Sequence, residues 1–133
     1  TLIKELRRRG VKVGVATRNH AKAVDVLVEA AGLPPGSFHP VLTREGPYPD
    51  KPHPAIACAA AEAWGLPPEA CLFVGDSLDD MRCGRAANMV TCHIGAADEE
   101  GPMPSVDALQ HIDFSIDSLH ELTAMLEDAV QQD

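Results

Sequence analysis

Three observations predict an α/β fold with a mainly parallel sheet. Five short, largely apolar runs alternate along the 133 residues with stretches of helical periodicity. The runs are close to continuous in hydrophobic character, as in strands covered on both faces. Side chains with chemical capacity follow several of them directly, where loops leave the carboxyl ends of parallel strands.

Leu2, Ile3 and Leu6 share one face of an opening helix that Gly10 ends. Val11 to Ala16 (VKVGVA) reads as the first buried strand. Asn19 is the expected cap of a helix from about His20 to Ala31, with Val24, Leu27, Val28 and Ala31 on its apolar face and Gly32 as its stop. Pro34-Pro35-Gly36 turns the chain into a second strand near His39 to Thr43. A Pro-rich loop, Arg44 to Pro54, precedes an Ala-dominated helix from Ala55 to Trp64. Cys71 to Gly75 (CLFVG) is the third strand, followed by acidic residues and a helix to about Ala87. Met89 to Ile94 is the fourth. A Gly/Pro/acidic loop (Gly95 to Pro104), a short helix and a strand at Ile112 to Ile116 come next. An amphipathic helix from Ser118 closes the chain through Leu119, Leu122, Met125, Leu126 and Val130.

Composition narrows the function classes. A 45% hydrophobic and 23% charged chain is that of an ordinary globular domain. No apolar run approaches the roughly 18–20 residues of a membrane helix. The net charge of −9 repels phosphate backbones, which argues against nucleic acid as a partner. Cys58, Cys71, Cys83 and Cys92 form no CxxC pair and sit in apolar or helical stretches, so they read as reduced packing residues of a cytoplasmic protein.

The strand ends carry the chemistry. Asp76 and Asp80, four residues apart, share one side of a starting helix and repel each other unless a cation lies between them. An oxygen-only site with few protein ligands suits Mg²⁺; the same acids also suit the positive end of a helix. Lys51 stands in the frame Asp50-Lys51-Pro52-His53-Pro54, either as a solvated loop lysine or as a cation that neutralises a phosphoryl oxygen. Thr17 is either a β-branched strand end or a hydroxyl beside free backbone N–H groups in an anion-binding arrangement. Together these features outweigh each taken separately.

The combination of Val11 to Asn19 (VKVGVATRN), Asp50 to Pro54 (DKPHP), Val74 to Met81 (VGDSLDDM) and Gly84 to Met89 (GRAANM) resembles the haloacid dehalogenase-like hydrolase superfamily, in particular its phosphoglycolate-phosphatase-like and beta-phosphoglucomutase-like branch. The resemblance implies a Rossmann-like, three-layer αβα sandwich over residues 1–133, as the C-terminal core of a longer protein. It implies catalytic roles for Thr17, Lys51 and Asp76. Thr17, Arg18, Asn19 and Lys51 would contact a small phosphorylated substrate, and Asp76, Asp80 and Asp79 would hold Mg²⁺. Dehalogenation, which needs no Mg²⁺, would leave Asp76 and Asp80 without a role, and a phosphomutase would need further groups from a cap.

Two departures matter. Arg18 stands where many relatives place Asn, and the family's nucleophilic DxD strand is absent; Asp113 and Asp117 do not match it. In the family that strand lies between the strands ending at Thr17 and Gly75, so the expected sheet is split, with an upstream segment bearing the strand and a cap missing from the chain. The alternative is a non-catalytic relative that kept the scaffold and serves binding.

Overall fold

A computed structural model of the chain describes residues 2–95 and 110–132. Helix α1 (Leu2–Arg8) leads to strand β1 (Val15–Ala16), helix α2 (Ala21–Ala30) and strand β2 (Val41–Leu42). Helix α3 (Ala55–Trp64), a single 3₁₀ turn (Pro68–Ala70) and strand β3 (Leu72–Gly75) follow. Helix α4 (Leu78–Ala86), strands β4 (Val90–Ile94) and β5 (Phe114–Ile116) and helix α5 (Leu119–Gln132) complete the order. The predicted alternation is present, and every strand pair is parallel.

The strands form two sheets rather than one. β1 pairs with β2, and β3-β4-β5 form the other, with β4 bonded on both sides. Among the described residues no ladder joins β1 to β3. β3, expected to be buried, therefore leaves Leu72 and Val74 exposed at 42% and 36%. The first two strands are also shorter than predicted, at two residues each rather than Val11 to Ala16 and His39 to Thr43. A strand bonded on one side only has fewer ladder positions to fix its ends.

Helix ends follow the glycine and asparagine pattern. After α3, Gly65 takes φ 67° and Leu66 N–H reaches back to the Ala61 carbonyl, closing the last turn. Asn88, at φ 66°, does the same for α4, with Met89 N–H bonded to the Gly84 carbonyl. The start of α2 corrects the expected cap: His20 occupies that position, and the Glu45 carboxylate accepts from Ala21 N–H at 2.7 Å in place of Asn19. On α2 only Val24 is buried, while Leu27 and Ala31, expected in the core, are exposed. On α5, Leu119 and Met125 are exposed and Leu122 is half-buried. Leu126 and Val130, the loop over residues 96–104 and the short helix expected before β5 lie outside the residues whose side chains or placement are described.

The core joins Ile56, Ala57 and Ala61 of α3 with Cys71, Cys83, Ala87 and Met89. Ala16 and Leu42 from one sheet and Phe73 from the other pack against this cluster, so α3 spans the division between the sheets. Three cysteines are buried as expected, and Cys58 is not. Burial pushes the Cys83 thiol up to about 11, in keeping with an inert packing role. Asp113 is structural too: it accepts from Thr91 N–H at 2.8 Å and from Arg85 at 2.6 Å, tying β4 and α4 to the start of β5. The Thr91 N–H bond, with the Arg85 guanidinium second, holds its carboxyl below the usual range.

Candidate active site

The facing edges of β1 and β3 bound an open cleft of about 600 Å³. At its carboxyl-end rim stand Thr17, Arg18, Lys51, Asp76, Asp79 and Asp80, so six of the seven predicted site residues line one cavity. Asn19 does not. Its backbone N–H donates to Thr17 Oγ1 at 3.1 Å, which steadies the threonine hydroxyl. Thr17 N–H bonds to the Leu42 carbonyl at 2.9 Å and fixes the backbone, while the hydroxyl, already accepting from Asn19 N–H, keeps its proton to donate.

Asp80 is the most constrained residue of the rim. One oxygen accepts from the Lys51 ammonium at 2.6 Å; the other accepts from the N–H groups of Asp76 and Ser77 at 3.2 and 3.3 Å. Ser77 in turn accepts from Asp80 N–H, completing a reciprocal cap on α4. Burial pushes the Asp80 carboxyl up, but the Lys51 hydrogen bond and charge, aided by Ser77, outweigh it and leave the group below its ordinary range. Gly75 makes this packing possible, because a β-carbon there would lie 2.4 Å from Asp80 Cβ. A Ser-x-x-Asp spacing is the sequence signal that could have found this cap; the need for glycine at 75 leaves no such signal.

Asp79 is engaged as well. It accepts from Arg18 Nη2 at 3.3 Å, and the same nitrogen donates to the Lys51 carbonyl at 2.9 Å. Of the three carboxylates expected to hold Mg²⁺, two are engaged by cations here, and among the described residues no group of three His, Cys, Asp or Glu is placed to hold a metal ion. Lys51 neutralises Asp80 and Arg18 neutralises Asp79. Asp76 is exposed, and its carboxylate has no partner among the described residues. One uncommitted carboxylate fits Mg²⁺, which keeps several waters and takes other ligands from phosphate.

Residues 1–88 match the haloacid dehalogenase-like hydrolase family. The chain belongs to that family. A haloacid dehalogenase-like hydrolase domain-containing protein of Arabidopsis thaliana is 38% identical over 88% of the chain and 46% of its own length. A glyceraldehyde 3-phosphate phosphatase of Methanopyrus kandleri is 36% identical over 89% of the chain and 50% of its own. A haloacid dehalogenase-type phosphatase of Thermococcus onnurineus superposes with a TM-score of 0.76 at 27% identity, over 94% of the chain and 54% of that structure. The chain therefore spans about half the length of these family members. Its α/β arrangement of parallel strands is the one it shares with that structure.

Proposed function

We propose that this chain is the phosphoryl- and metal-binding part of a phosphohydrolase acting on small phosphorylated metabolites in the cytoplasm. The convergence of Thr17, Lys51 and Asp76 on one cleft at the carboxyl ends of β1 and β3 carries the reading, and the phosphatases among its relatives support it. The Thr17 hydroxyl and adjacent backbone N–H groups hold phosphoryl oxygens, and the Lys51 ammonium offsets charge beside them. Asp76 would hold Mg²⁺, which when bound supplies charge neutralisation of the phosphoryl group. A carboxylate on a further strand that fills the cleft between β1 and β3 attacks phosphorus as the P–O bond to the rest of the substrate breaks and that leaving group departs protonated. Water then releases phosphate from the acyl phosphate and regenerates the carboxylate. That strand would give both open edges a ladder partner.

Asp76→Asn in the intact protein is expected to abolish Mg²⁺-dependent phosphate release, read as inorganic phosphate. Retained turnover would end the metal assignment. The 133 residues alone are expected to leave para-nitrophenyl phosphate unhydrolysed with Mg²⁺ present; clear turnover would place the nucleophile within this chain. A non-catalytic binding module keeps the same cleft without the attacking carboxylate, and an intact protein with no turnover would favour it.

A further inference from the structure

Two cations line the cleft among the described residues, Lys51 and Arg18, and they differ in what they have left to offer. Lys51 is largely buried, with its ammonium closed on Asp80 at 2.6 Å. Arg18 is 58% exposed and uses a single nitrogen, Nη2, for both the Lys51 carbonyl and Asp79. Its Nε and Nη1 donors have no partner among the described residues. The two bonds at Nη2 tether the guanidinium to the Lys51 loop and to the first turn of α4, so its planar fork is held before any ligand arrives.

The charge balance of the rim gives that fork a purpose. Arg18 offsets Asp79 and Lys51 offsets Asp80, which removes two of the three carboxylates that would repel an anion. The phosphoryl group has Thr17, the neighbouring N–H groups, Lys51 and the metal-binding Asp76. Arg18 stands next to this set, on the residue after Thr17, with donors in the geometry that carboxylates and phosphates accept in pairs.

Resting on the phosphohydrolase reading above, we propose that Arg18 is a specificity-determining residue that binds a second anionic group of the substrate. The substrate class is then a phosphate ester or anhydride bearing a carboxylate or a further phosphate within a few bonds of the transferred phosphoryl group. Asp79 acts through Arg18 as its positioning residue.

The test compares 2-phosphoglycolate with ethyl phosphate, which differ by the carboxylate, in the intact protein with Mg²⁺. Wild type is expected to favour 2-phosphoglycolate by at least about tenfold in kcat/KM. Arg18→Gln is expected to collapse that preference by about tenfold or more, chiefly through KM, and Arg18→Lys to restore part of it. Thermal melting of each variant checks that the fold is retained. Equal losses on both substrates, or an unchanged preference, would overturn the assignment while leaving the phosphohydrolase intact. Hydrolysis of neither substrate by wild type would overturn the underlying reading and the proposal with it.

Discussion

At position 75 the absence of a side chain decides where Asp80 sits. Gly75→Ala would drive a β-carbon to within 2.4–2.6 Å of three Asp80 atoms, against a carboxylate already fixed by three hydrogen bonds. Overpacking of this kind costs about 1–3 kcal/mol, and urea unfolding should show it. The Asp80–Lys51 pair also sets a pH dependence. Because the folded-state carboxyl lies below its ordinary 3.8, its contribution is complete above that value and is lost as pH falls through the folded one. Wild type should therefore exceed Asp80→Asn in stability at pH 7, with the two converging as urea titrations are taken below pH 3.8. Asp76 is the opposite kind of residue. Exposed and uncommitted, its carboxylate takes no part in holding the loop among the described residues.

The element that carries two of the six rim residues, Asp79 and Asp80, is α4. Its N-terminus is closed by the Ser77–Asp80 box and its flank is pressed onto the sheet at Gly84, where a β-carbon would meet Thr91 and Phe73 at 2.8–2.9 Å. Glycine inside a helix ordinarily costs about 1 kcal/mol relative to alanine, and here close packing explains its presence. Ser77→Ala removes the acceptor for Asp80 N–H and should destabilise the protein by about 1 kcal/mol, measured as a shift in the denaturation midpoint. α2 is held less well: its first N–H depends on Glu45 from a distant loop, and Val26 and Leu27 are each 60% exposed.

For the whole molecule, the division between two sheets is the governing feature. α3 bridges it through Ala16, Leu42 and Phe73, and at the rim Arg18 and Lys51 tie the first sheet's loops to α4. Among the described residues the cleft-facing edges have no ladder partner, whereas β4 is bonded on both sides. Native-state hydrogen exchange on this chain should show fast exchange along the facing edges of β1 and β3 and the slowest in β4. Uniform protection would contradict an open cleft.

Local pattern determined a good deal. The apolar runs at VKVGVA and CLFVG and the Ala-dominated stretch from Ala55 to Trp64 specify strands and a helix, because backbone bonding and burial period are short-range properties. Asp76 and Lys51 were legible because their loops follow strands. Tertiary structure decided the rest. Which carboxylates remain free depended on cations 29 and 61 residues away in sequence. The Asn19 N–H met the Thr17 hydroxyl oxygen, and Leu27 stands 60% exposed despite its apolar spacing on α2. Such outcomes are settled by which distant groups arrive at each atom, and a linear sequence carries that information only through the fold.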